Sequence, residues 1–141
     1  MLRWNVRFRL TTMTTPQIIL YVFILLVVAL YVRRRIQLRG LKTYSPQEVA
    51  ERMKQPGSPV LLDVRTNAER ERKSIKGSLH IPLHELGGRT KELEKHKSKE
   101  IICYCQSGNR SISAAARLKK LGFTVANMSG GIAEWNSSGL Q

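Results

Sequence analysis

The chain has 141 residues, room for one domain and an appendage. Its formal net charge of +14 is unevenly spread: residues 1–42 hold eight of the 24 Lys and Arg and no acid, while residues 43–141 hold 16 basic and all ten acidic residues. Over half of the excess therefore flanks one apolar run, which points to a membrane surface rather than nucleic acid, and the globular part lacks the interleaved aromatics that single-strand binding needs. Two cysteines two positions apart make no disulfide framework and fit a reducing compartment or a catalytic thiol with a neighbour.

Residues 1–10 carry Arg3, Arg7 and Arg9, and residues 18–32 are fifteen apolar residues without a break, inside an uncharged stretch of 23. A bilayer core takes about 20 helical residues. Pro16 suits the first turn of such a helix, and Tyr21 and Tyr31 suit the interfaces. A cleaved signal peptide needs small residues after its apolar core, but here Leu30-Tyr31-Val32 runs straight into Arg33-Arg34-Arg35. A buried core helix would be shorter and amphipathic. The organisation read from this pattern is an N-terminal flank at 1–16, a single transmembrane anchor at 17–32, a basic linker at 33–42 and a domain at 43–141. Arg33, Arg34, Arg35, Arg39 and Lys42 follow the run and outnumber the three arginines before it. Basic residues stay preferentially on the cytoplasmic side, so the domain is expected in the cytoplasm, more strongly so if Met13 is the start.

Within the domain, Ser45-Pro46-Gln47-Glu48 reads as a capping box with proline at the first helical position, opening a helix to about Lys54. Gln55-Pro56-Gly57-Ser58-Pro59 is a turn. Residues 60–64 form a strand, apolar but for Asp63, of the kind found inside a parallel sheet. Residues 67–73 are a short charged helix or loop, residues 79–82 are extended, and residues 83–99 are a charged, partly helical, solvated face. Residues 101–105 are the next buried strand. Residues 111–121 are a helix whose Ala114, Ala115, Leu118 and Leu121 recur at helical spacing and face the sheet, and Gly122 stops it. Residues 123–128 are the last strand, Gly130-Gly131 a turn, and residues 132–137 a final short helix. Alternating strand and helix predicts an α/β fold with a mainly parallel central sheet flanked by helices. Its ligand site lies beyond the carboxyl ends of the strands, where Asp63 and Cys105 both fall.

The chemistry concentrates in Cys105-Gln106-Ser107-Gly108-Asn109-Arg110. A strand ends in a thiol, a polar loop follows, and a helix begins. Unpartnered N–H groups and the helix dipole favour negative charge at such a place, and Arg110 adds a full positive charge facing the anion. The Cys105 thiol should ionise more readily than a free cysteine, whose pKa is about 8.5. Cys103, inside the strand, reads as a small core residue. Asp63, at a strand end, is placed to accept loop N–H groups and hold the cradle in shape, and Arg65 is a second loop-orienting or anion-facing candidate. His80, His84 and His96 have no metal-ligand spacing with the cysteines, so no metal is expected.

At these residues the chain resembles the rhodanese family of sulfurtransferases, whose active loop is a cysteine, four residues and a basic residue. Leu61-Leu62-Asp63-Val64-Arg65 resembles the family's strand ending in a structural aspartate. Lys76-Gly77-Ser78-Leu79-His80-Ile81-Pro82-Leu83 resembles its glycine-to-proline segment, and Ser129-Gly130-Gly131-Ile132-Ala133-Glu134-Trp135 its closing Gly-Gly-x-x-x-Trp. Two departures stand outside the cysteine loop: Arg70 follows Glu69 where the family often has an aromatic residue, and Lys73-Ser74-Ile75-Lys76-Gly77 replaces its Gly-His. They bear on substrate or partner choice.

The resemblance implies a rhodanese-like α/β domain, preceded here by one transmembrane helix. It implies transfer of a sulfane sulfur from a thiosulfate-like small-molecule donor to cyanide or a thiol acceptor through a Cys105 persulfide. Gln106, Ser107, Gly108, Asn109 and Arg110 would form the substrate-binding loop, and no cofactor is needed. The expected partners are the donor, the acceptor, the membrane and a membrane protein beside the anchor; nucleic acid is not among them. One alternative is a membrane-tethered rhodanese-fold binding or sulfur-relay module, although inactive members usually lack the cysteine. Another is a phosphatase or arsenate reductase of the related fold, which places five residues between cysteine and arginine to cradle a tetrahedral oxyanion; here only four intervene.

Overall fold

The structure, a computed structural model, describes residues 14–38 and 40–140, and for residues 33–38 the backbone path only. Arg3, Arg7, Arg9, Met13 and Arg39, four of them among the eight basic residues that flank the apolar run, lie outside the described residues. The chain divides into two units, Met1–Gln37 and Leu38–Gln141.

Among the described residues the first unit consists of helix α1, Thr15–Leu38, whose last residue falls at the division, with Pro16 in its opening turn. Its 24 residues span about 36 Å at 1.5 Å per residue. The large apolar side chains of residues 18–32 are 46–67% exposed all round the helix. The window Thr15–Val32 is long and apolar enough to cross a membrane by length and composition.

The second unit is built on a five-stranded sheet. Its strands are β1 (Lys42–Tyr44), β2 (Val60–Asp63), β3 (Leu79–His80), β4 (Ile101–Tyr104) and β5 (Val125–Met128). They lie in the order β1-β5-β4-β2-β3 with every pairing parallel. Helices α2 (Pro46–Met53), α3 (Asn67–Arg72), α4 (Leu86–Arg89), α5 (Asn109–Lys120) and α6 (Gly131–Ser137) connect or follow them, with a 3-10 helix at Thr90–His96. Alternation along the strands sorts the core into two layers. Leu62, Ile101, Cys103, Cys105 and Val125 face α5 through Ala114, Ala115 and Leu118. Leu61, Ile102, Tyr104, Ala126 and Met128 face α2 and α6 through Val49, Ile132 and Trp135.

Three sequence expectations change. Lys42, expected at the end of the linker, opens β1, whose partners are Ala126, Asn127 and Met128 on β5. This edge strand is held by backbone pairing and leaves Lys42 and Thr43 exposed, so no apolar pattern marks it. The segment 83–99 is not purely a solvated face, because Leu86 and Leu93 are fully buried against the α5 layer. Leu121 does not face the sheet: α5 ends at Lys120, and the residue that caps it turns out to 52% exposure. The expected Ser45–Glu48 capping box is present, and Thr66–Glu69 forms a second one at the start of α3.

Because all five strands run the same way, the residues that follow them gather at one edge of the sheet. β2 sends its chain outward through α3 to β3, whereas β4 sends its chain the other way through α5 to β5. The crevice where the two connections part lies between β2 and β4, the favoured ligand position of parallel sheets. Cys105 stands at its β4 side and Arg65 at its β2 side.

Candidate active site

Cys105 follows the last residue of β4, and its carbonyl and that of Gln106 are grasped by α6: Ile132 N–H donates to Cys105 O at 2.9 Å and Ala133 N–H to Gln106 O at 3.2 Å. This close docking explains the second glycine of the pair, Gly131. Gly131 has φ +56°, and a Cβ there would run into the Cys105 carbonyl oxygen and the Gln106 carbonyl group. Gly108 precedes α5 with φ +98°, a conformation L residues rarely adopt. That bend turns its N–H onto the Cys105 sulfur at 3.1 Å.

The thiol is 1% exposed. Burial acts to raise its pKa, but the Ser111 hydroxyl and the N–H groups of Ser111, Ser107 and Gly108 outweigh it, so the pKa lies below the ordinary value. Ser111 Oγ is 3.6 Å from the sulfur, 2.9 Å from Gly108 O and 2.7 Å from Asn127 Oδ1. It has one proton for three acceptors, so the hydroxyl can turn to the sulfur when the thiolate forms. Asn127 sits on β5 with its side chain on the α5 layer, the position that alternation with Ala126 and Met128 dictates. Cys103 is opposite in character. Complete burial, with a lesser push from Cys105, drives its thiol up to about 12, so it is not a nucleophile near neutrality.

Arg110, expected to face the anion, spends two donors on the Glu69 carboxylate, at 2.6 and 2.8 Å. Those hydrogen bonds are the first reason that Glu69 is held well below the ordinary carboxylate range and Arg110 above its own. The Cys105 thiolate also favours the charged Arg110, as a smaller effect. The cation that closes the sulfur loop is therefore largely neutralised. Glu69 lines a cavity of about 370 Å³ with Arg72, Lys73 and Gln106; Arg110 lines another of about 350 Å³ with Thr66, His84 and Arg117. The ion pair stands between the two.

Asp63 and Arg65 form a buried pair, 2.7 Å at the closest approach. Asp63 also accepts the Arg65 backbone N–H at 3.0 Å. The other guanidinium donors reach the carbonyls of Glu69, within α3, at 3.3 Å and of Lys73, its C-cap, at 2.7 Å, which holds the helix in place. The pair thus orients the helix that presents Glu69, and none of its hydrogen bonds runs to residues 106–110. His80 Nε2 bonds Arg65 O at 2.9 Å, and His84 is exposed beside Glu85. Arg70, the departure noted above, donates to Ser78 Oγ and O, tying α3 to the segment before β3.

Ser111 and Asn127 carry no pattern in the sequence that marks them as partners of the sulfur, and Glu69 stands out there only as the neighbour of Arg70. The Thr66-x-x-Glu69 capping pattern was a legible signal for Glu69's placement, though not for its partner. Ser111 directly follows Arg110, and its turn back to the sulfur depends on the bend at Gly108.

Residues 45–138 match the profile described as the rhodanese-like domain. The chain is 34% identical over 95 residues to a protein named sulfurtransferase from Allochromatium vinosum, covering 67% of this chain and 87% of that one. It is 34% identical over 94 residues to the thiosulfate sulfurtransferase GlpE of Pseudomonas syringae, covering 66% and 86%. Among solved structures, a rhodanese-related protein from Thermoplasma volcanium superposes with a TM-score of 0.65 at 32% identity, covering 71% of this chain and 95% of that one.

Proposed function

This chain belongs to the rhodanese-like family of sulfurtransferases, and on that premise we propose that it moves a sulfane sulfur from a thiosulfate-like donor to a thiol or cyanide through a persulfide on Cys105. The observation that carries this reading is the sulfur's setting: a thiol with a lowered pKa, ringed by the N–H groups of Ser107, Gly108 and Ser111 at the start of α5. The Cys105 thiolate attacks the outer sulfur of thiosulfate. The donor's S–S bond breaks, its electron pair leaves on sulfite, and Cys105 holds the outer sulfur as a persulfide. The acceptor then attacks that sulfur, the new S–S bond breaks, and its pair returns to Sγ. This is covalent catalysis in two half-reactions, for which ping-pong kinetics are expected. The loop N–H groups stabilise the negative charge that develops in both, as an oxyanion hole does.

Mass spectrometry of the purified chain after thiosulfate tests this. Cys105 should gain one sulfur atom, Cys105→Ser should gain none, and Cys103→Ser should still be loaded. Hydrolysis of an aryl phosphate without sulfur loading would favour the phosphatase reading instead.

The same proposal sets the domain on a single membrane anchor, facing the cytoplasm. It is supported by the length and composition of α1, by the exposure of its apolar surface, and by the need of a persulfide for reduced acceptor thiols. Cys105, 1% exposed, is open to small reagents but not to the bulky impermeant ones that report topology, so the reporter is Ser113→Cys, an exposed α5 position. A membrane-impermeant thiol reagent should label it only after intact cells are permeabilised; labelling before that step reverses the orientation.

A further inference from the structure

The cavity on the Arg110 side of the ion pair has a composition that the sulfur loop does not explain. It measures about 350 Å³, within the range of small-molecule sites. Val64 and Leu83 give it an apolar floor, and Thr66, His84, Arg110 and Arg117 line its polar part. No acidic side chain lines it. Arg110 is already matched by Glu69, and Glu85, beside His84, is engaged by Arg89 at 2.7 Å. Arg117 lies seven residues beyond Arg110 on α5, two turns along the same face. It pairs with no carboxylate among the described residues and is the cavity's uncompensated positive charge.

A bare inorganic anion or cyanide would gain nothing from the apolar floor, and an uncharged thiol nothing from Arg117. We infer that this cavity is the acceptor subsite and that it takes a small organic thiol bearing a carboxylate. This rests on the sulfurtransferase reading. The carboxylate would lie on Arg117, the carbon body over Val64 and Leu83, and the sulfur at the Arg110 end toward the persulfide. In the step itself the acceptor thiolate forms a bond to the outer sulfur, the bond to Cys105 Sγ breaks with its pair on Sγ, and the acceptor leaves as a persulfide. Nothing else is oxidised or reduced.

The test separates binding from turnover. The full chain in detergent is titrated with the methyl thioether of mercaptopropionate, which cannot accept sulfur, and with its primary amide, which lacks the charge. The wild type should bind the acid about tenfold more tightly than the amide, as expected for a charge-assisted contact at a partly open site. Arg117→Gln should erase about three- to tenfold of that preference, and Arg117→Lys should keep part of it. In turnover of thiosulfate-loaded protein, the ratio of KM values for mercaptopropionate and 2-mercaptoethanol should move by the same factor. Equal binding of acid and amide by the wild type, or an unchanged preference in Arg117→Gln, overturns the subsite. Acid preference in a chain that never loads sulfur at Cys105 overturns the sulfurtransferase reading and the acceptor role with it, leaving a carboxylate site.

Discussion

Ser111 offers the sharpest handle on how the thiolate is made. Ser111→Ala removes the hydroxyl 3.6 Å from the Cys105 sulfur while leaving the Gly108 N–H at 3.1 Å in place. A hydrogen bond to a charged group is worth about 1.5–3 kcal/mol. The contact is long, and the same proton is claimed by Asn127 Oδ1 at 2.7 Å and Gly108 O at 2.9 Å. The lower end of the range applies, close to one pKa unit or about 1.4 kcal/mol. Losing a donor to the charged form raises the pKa, so below the wild-type pKa the reactive fraction should fall about tenfold. Well above both pKa values the two proteins should react alike. The assay is the rate of iodoacetamide alkylation against pH. Cys103, at about 12, stays silent over the neutral range. Ser111→Thr keeps the hydroxyl and should titrate near the wild type. Ser111→Ala also leaves the buried Asn127 oxygen without its Ser111 donor, so its stability should drop by about 1–3 kcal/mol in denaturant. A folded Ser111→Ala protein with an unchanged Cys105 pKa refutes this account of the sulfur's activation.

Glu69→Gln should release the Arg110 charge, so the Cys105 pKa should fall further and the KM for thiosulfate should decrease; a rise in that KM would mean that Glu69 acts by holding Arg110 in position. Glu69 is depressed in the folded state, first by its Arg110 hydrogen bonds, so the pair's contribution to stability is complete above the ordinary carboxylate pKa and fades as acid titrates the folded carboxylate. The acid limb of the stability profile should flatten in Glu69→Gln. Asp63→Ala strands a buried guanidinium and should cost about 3–5 kcal/mol, read by denaturant unfolding, with Asp63→Asn losing less. Gly131→Ala meets both a left-handed φ and the Cys105 carbonyl, and should cost at least about 2 kcal/mol and slow thiosulfate loading, read by unfolding and by mass spectrometry.

Local pattern was enough to determine most of the elements and to single out Cys105 as the candidate nucleophile. The capping box at Ser45, the buried runs at 60–64 and 101–105, the helical spacing of Ala114, Ala115 and Leu118, and the break from apolar strand to polar loop at Cys105 all encode backbone conformation within a few residues. That is the range over which hydrogen-bonded turns and side-chain periodicity act. The tertiary structure decided the partners. β1 carries no apolar signature because its stability lies in pairing with β5. The sequence placed a cation five residues after Cys105, but only the strand order, with β4 beside β2, brings α3 near α5 and lets Glu69 neutralise Arg110 across 41 positions. The same order sets Asn127 of β5 beside Ser111. Charge and hydrogen-bond complementarity act through space, and a sequence shows which groups seek partners without showing which of them the fold brings within reach.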